Sequence, residues 1–155
     1  MANDDNSTIL GPEDGKVVLV PGHKIIHKAS SEDTGGAYSM VEVCLEGDGP
    51  PQHIHKTEDE SFYILEGEVN FLVDERTFIA KTGSFVLVPK GTIHTFSRVG
   101  QKPAKFLVIY SPAGFEKFFD EAVDFDVSDT ESYVAKANAL AGKYNMEVVG
   151  PPLDG

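Results

Sequence analysis

The chain has a single cysteine, Cys44, among 155 residues, so no intramolecular disulfide can hold it together. That scarcity fits a reducing compartment and leaves stability to a packed core, with Cys44 itself expected as a small buried hydrophobe in a strand. Basic residues are also few: 13 against 25 acidic ones, for a formal charge of -12 and a pI near 4.7. They are scattered singly from Lys16 to Lys143, and a surface of this sign repels phosphate backbones and anionic lipid, so neither nucleic acid nor a membrane is an expected partner. No apolar stretch approaches the roughly 18 residues needed to span a bilayer, and residues 1–8 lack the charged-then-apolar pattern of a secretory signal. The expected location is the cytoplasm. The chain also has no low-complexity tract and no solenoid-type repeat.

What is present is an ordinary globular composition, 41% hydrophobic and 25% charged, at a length close to that of one domain. Fifteen glycines and nine prolines fall mostly between short apolar runs, as they do where many strands are joined by turns. Strands are predicted at 17–20, 24–27, 37–45, 53–55, 61–65, 69–73, 77–80, 85–88, 92–97 and 105–110, with turns at 66–67, 74–76, 81–83, 89–91 and 100–103. This succession predicts an all-β, antiparallel barrel or sandwich over residues 16–112, preceded by a flexible arm at 1–15 and followed by a helical extension and tail at 113–155. In the extension, Phe115, Phe118, Phe119 and Ala122 recur at helical spacing over 114–123. A second helix is expected from Ser128, which forms a capping box with Glu131, to a stop at Gly142. Val148 and Val149 read as a short strand in the tail.

Chemistry concentrates in two compact segments. Alternate residues of a strand share a face, so His53 and His55 point the same way and both imidazoles can reach one ion. Glu60 lies across the turn 56–59 at the start of the next strand. His94 follows a Pro-Gly turn on a distant strand and adds a third imidazole. Glu58 and Asp59 compete with Glu60 as the carboxylate; strand parity separates them weakly, the spacing to Gly67 favours Glu60, and the other two are expected in solvent. Three imidazoles and one carboxylate suit Fe, Mn, Ni, Co, Zn or Cu and serve calcium poorly. The plainer alternative is four polar barrel residues that bind no metal. His23 and His27 share a face with Ile25 between them, and with no further ligands nearby they are expected to be structural.

The two segments resemble the two signature motifs of the cupin superfamily. The first is Gly47, five residues, His53, one residue, His55, four residues, Glu60, six residues, Gly67; the second is Gly83, five residues, Pro89, one residue, Gly91, two residues, His94. The asparagine usual four residues after the last histidine is Arg98 here, a position that is not a ligand in the family. The resemblance implies a double-stranded β-helix, or jelly-roll barrel, holding one divalent transition-metal ion through His53, His55, Glu60 and His94, commonly as a homodimer. Residues 50–55 and 60–67, with the tail 114–119, are similar to the single-domain, quercetin-dioxygenase-like cupins. The expected function is therefore a metal-dependent dioxygenase acting on a flavonol-like or other hydroxy-keto molecule, with Glu60 also taking the substrate proton. Non-redox isomerase, cyclase or lyase chemistry and a non-catalytic small-molecule-binding barrel stand as alternatives. Strand alternation puts Phe62, Ile64, Phe96, Tyr38 and Met40 forward as pocket walls, and equally as plain core.

Overall fold

The structure is a computed structural model, described over residues 6–123, 128 and 130–153. Alternating apolar residues build two antiparallel sheets that bury their inner faces against each other. The first sheet runs β1 (Lys16–Val20), β2 (His23–Ala29), β3 (Ser39–Leu45), β10 (Ala104–Ser111), β5 (Asp59–Glu66) and β8 (Phe85–Val88). The second runs β11 (Met146–Pro152), β4 (Pro51–His55), β9 (His94–Arg98), β6 (Glu68–Val73) and β7 (Arg76–Lys81). All ten predicted strands are present, and the tail supplies the eleventh by pairing with β4. The result is a jelly roll of two facing sheets, without a continuous ring of hydrogen bonds around a closed barrel.

Phe62, Phe71 and Phe106 are fully buried between the sheets with Ile25, Leu45 and Ile64. The rings of Phe62, Phe71, Phe96 and Phe106 meet at centroid separations of 5.1–6.1 Å. Each fully buried phenylalanine contributes up to about 3 kcal/mol by leaving water. β3 shows the alternation cleanly, with Ser39, Val41, Val43 and Leu45 inside and Met40, Glu42 and Cys44 on the outer face. Cys44 is thus only half-buried, contrary to expectation, because the inward parity of β3 belongs to its odd-numbered residues.

Short helices flank the sheets. α1 (Ser31–Thr34) occupies the polar stretch that carried no prediction; Ser30 and Asp33 close a capping box there and Gly35 ends it at φ 63°. α2 (Lys117–Ala122) and α3 (Thr130–Lys143) form the helical extension, each starting later than predicted; the expected capping box at Ser128 falls partly outside the described residues. Residues 6–15 form no helix or strand, yet Lys28 Nζ donates to the carbonyls of Gly11, Pro12 and Asp14 at 3.2, 3.1 and 2.7 Å, which ties that part of the arm to β2. Among the described residues, no helix is long and apolar enough to cross a membrane.

Glu116 fastens the extension to the barrel. Its buried carboxylate accepts hydrogen bonds from Ser31 N (2.9 Å), Ser31 Oγ (2.5 Å) and Gly114 N (2.7 Å), joining α1 to the turn before α2. Burial works against the charged form, but the hydrogens donated by Ser31 and Gly114 outweigh it and hold the pKa below the usual carboxylate value. A depressed folded-state pKa adds stability that is complete above the unfolded carboxyl value and is lost as pH falls through the folded one. Glu116→Gln should therefore lower stability by about 1.5–3 kcal/mol at neutral pH, and the gap to wild type should close on acidification below about pH 4. Urea midpoints across that range measure it; a gap independent of pH would show that the carboxylate charge contributes nothing.

Candidate metal centre

Three strand ends from both sheets bring the ligand candidates together. β4 and β9 pair antiparallel with His53 opposite His94, and Glu60 is the second residue of β5 in the facing sheet. The imidazoles of His53, His55 and His94 and the Glu60 carboxylate each offer one ligand atom, all within 4.8 Å of one another, and all four residues are buried. Two ligands about 2.1 Å from one ion stand about 3 Å apart at right angles and about 4 Å apart in line, so a modest contraction of the cluster would match a single ion's coordination shell.

The outer nitrogens test the fit. His53 Nδ1 donates to Pro51 O (2.8 Å), His94 Nδ1 to Thr92 O (3.0 Å) and His55 Nδ1 to Glu58 Oε1 (2.8 Å). Carbonyl and carboxylate oxygens only accept, so each ring is held with Nδ1 protonated and Nε2 turned inward as the ligand atom. His55 and His94 aim Nε2 at Glu60 Oε2, at 3.0 and 2.8 Å. This donor set fits one divalent transition-metal ion. Glu58, expected in solvent, is instead buried, since the 56–58 turn folds its carboxylate back under His55, where Thr57 Oγ1 also donates to it at 2.5 Å. Asp59 is exposed and accepts from Lys90 N.

Electrostatics set His53 and His55 apart. Burial, reinforced by the neighbouring His94 and His55 rings, drives His53 down to about 3, so it stays neutral. For His55 burial acts in the same direction, but the Glu60 and Glu58 carboxylates outweigh it and raise the pKa to about 9. Glu60 is held well below the usual carboxylate range, its burial overcome by His55 and then His94. The metal-free cluster is thus a buried ion pair whose inner proton a metal would replace, so metal uptake releases protons and weakens as pH falls.

A cavity of about 550 Å³ opens beside the cluster, with His53, His55 and Glu60 in its wall. Of the five expected wall residues, Phe96 lines it and Tyr38, Met40, Phe62 and Ile64 do not. Tyr38 and Met40 carry the outward parity of β3, and Tyr38 is 41% exposed. Phe62 and Ile64 share the inward face with Glu60 but lie deeper along β5, sealed in the core. The walls come instead from Val20, Ile25, Val43 and Val108, from Phe115, Phe118 and Phe119 of the extension, and from Met146 and Val148 of β11. Tyr110, opposite Glu60 in the β10–β5 register, also lines the cavity; burial and the Glu60 carboxylate keep its hydroxyl protonated far above the usual range. His23 is in the wall as well, whereas His27 lies 3.2 Å from Asp120 of α2, near enough for an ion pair though not aligned as a hydrogen bond.

Residues 39–110, which contain all four ligand candidates, match the family model of the cupin domain. This chain carries a cupin domain. It is 31% identical over 98 residues, 63% of its own length, to quercetin 2,3-dioxygenase of Bacillus subtilis (strain 168), of which it spans 28%. Among solved structures, the cupin fold here superposes on KdgF from Halomonas sp. with a TM-score of 0.62 at 17% identity, covering 72% of this chain and 97% of that one. It also superposes on the polyketide cyclase RemF from Streptomyces resistomycificus with a TM-score of 0.61 at 18% identity, covering 68% and 79%. At such identities the superpositions establish the fold of this cupin and carry no reaction with them.

Proposed function

We propose that the protein is a metal-dependent dioxygenase whose substrate is an uncharged, mainly apolar organic molecule with neighbouring hydroxyl and keto oxygens, of flavonol type. The observation that carries this reading is the pairing of a buried three-histidine, one-glutamate cluster with an apolar cavity whose described walls contain no lysine or arginine. A phosphorylated sugar or a small dicarboxylate would find no lysine or arginine among these walls to meet its charge away from the three-histidine cluster, and would face Asp48 there. A multi-ring aromatic molecule suits the volume, which lies in the usual range of about 300–1,000 Å³ for small-molecule pockets. The partial identity to a quercetin dioxygenase supports the same substrate class.

A divalent ion held by His53, His55, Glu60 and His94 supplies Lewis acidity toward a substrate hydroxyl and, if redox-active, electron transfer to dioxygen. The protein's own groups then have distinct tasks. Glu60, the carboxylate of the cluster, can take the hydroxyl proton as the substrate binds in its ionised form. Tyr110, kept protonated, is a hydrogen-bond donor for an oxygen that gains negative charge. Phe115, Phe118 and Phe119 pack as a cluster, with Phe115 and Phe118 stacked at 5.0 Å, and exclude water from the reacting end.

The test is oxygen uptake with quercetin by protein loaded in turn with iron, manganese, cobalt, nickel or copper. Equimolar loss of quercetin and dioxygen with at least one metal is expected. Turnover without oxygen uptake would overturn the dioxygenase and assign the cluster to isomerase, cyclase or lyase chemistry; binding of quercetin without turnover would leave a small-molecule-binding barrel.

A further inference from the structure

His23 opens β2 in the six-stranded sheet, away from both signature motifs, and takes no part in the ligand cluster. Its ring forms part of the cavity wall and meets Phe96 edge-on at a centroid distance of 6.0 Å. Nδ1 lies 2.9 Å from the carbonyl of Pro21, which can only accept, so Nδ1 carries the proton. Burial lowers the pKa of the ring, which is therefore neutral, with Nε2 as an unprotonated acceptor. No hydrogen bond to Nε2 is seen among the described residues, and the described walls of the cavity contain no Lys, Arg, Ser, Thr, Asn or Gln, their hydroxyls being those of Tyr110 and Tyr133. Nε2 is not among the buried atoms left without a partner, so it is open to the cavity, where the hydroxyl of a ligand can reach it.

We propose that His23 is a second recognition point of the cavity, accepting a hydrogen bond from a hydroxyl on the part of the substrate remote from the three-histidine centre. The placement defines the molecule. Phe96 stands two residues from His94 along β9, about 7 Å at the strand rise, and the His23 ring centroid is 6.0 Å from that of Phe96, which gives a separation of the two polar points on the order of 10 Å. A ligand that touches both is a flat, elongated molecule with a chelating oxygen pair at one end, apolar rings over Phe96 and Phe115, and a hydroxyl at the other. An O–H satisfies His23, whereas a methyl ether or an unsubstituted ring leaves its lone pair buried and unpaired. Selectivity for a distally hydroxylated ring is thus built into β2, and this assignment rests on the aromatic hydroxy-keto substrate proposed above.

The experiment compares quercetin with 3-hydroxyflavone, which keeps the hydroxy-keto pair and lacks the remaining hydroxyls, by absorbance titration of zinc-loaded wild type and His23→Leu. Leucine keeps the packing on Phe96 and removes the acceptor. About tenfold weaker binding of quercetin, with 3-hydroxyflavone unchanged, is the expected result. Equal weakening of both would make His23 a packing residue only, and no change in either would remove it from recognition; both overturn the assignment. Failure of wild type to bind either flavonol would instead refute the flavonol reading, and phenol against anisole on the same two proteins then decides His23. A phenol preference in wild type that disappears in His23→Leu supports the assignment; wild type without that preference overturns it.

Discussion

Wild type is expected to purify with roughly one equivalent of transition metal and protein with His94 replaced by alanine without it, and His53→Ala should behave in the same way as His94→Ala. These two residues face each other across the β4–β9 pair with ring centroids 4.3 Å apart, so either truncation opens one side of the coordination shell. The loss should also appear as stability. A metal that binds only the folded chain raises the melting temperature in proportion to RT ln(1 + [M]/Kd), and the rise on adding metal should vanish in both variants. Glu58→Gln provides the graded comparison. It leaves the four ligands in place and weakens the hold on His55 Nδ1, so affinity should fall about 10- to 100-fold without disappearing. Elemental analysis and competitive chelator titration measure all three. Full metal content in His94→Ala with wild-type affinity would mean that these residues are not the metal site, and the dioxygenase reading would fall with it.

The four clustered residues were open to sequence reading because most of their geometry is local, with His94 alone coming from a distant strand. His53 and His55 are one strand period apart, Glu60 follows a short turn, and the Pro-Gly turn before His94 fixes where β9 begins. Strand positions were legible for the same reason, since alternation and turn residues act over a few neighbours. What escaped was set by contacts between distant segments or by a shift of one residue. Met40 and Cys44 have the outward parity of β3, and nothing within 37–45 shows which parity faces in until β10 and β2 pair on either side. Glu58 lies in a turn, where side-chain direction follows from the turn's path and alternation does not apply. His23 becomes a cavity residue only because β2 brings it against Phe96 of the opposite sheet, and the phenylalanines of the extension look like any amphipathic stripe until they cover the cavity.

Gly49 is the clearest case of a residue whose importance appears only in three dimensions, and Gly49→Ala should be the most damaging single methyl group that can be added near the site. A Cβ there would stand 1.8 Å from the carbonyl oxygen of Phe96 and 2.9 Å from its carbon. Both are backbone atoms of β9, so no rotamer change relieves the clash, and β4 must move away from β9. The two strands can ill afford it, because His53 opposite His94 is the one residue pair in their ladder, supported nearby by Thr95 Oγ1 donating to Pro50 O at 2.6 Å. We expect Gly49→Ala to lose about 4 kcal/mol or more, an exceptional cost for one methyl, and any protein that still folds to bind metal far more weakly as His53 withdraws from His94. Gly142→Ala is the matched control: it lies in α3 with nothing within 4 Å of the added Cβ, so it should be neutral or stabilising by up to about 1 kcal/mol. Urea unfolding and metal titration of the two variants decide the matter. A Gly49→Ala protein as stable as wild type, with metal affinity intact, would mean that β4 and β9 are not held at the separation described, and that the cluster's dimensions are set by something other than this close approach.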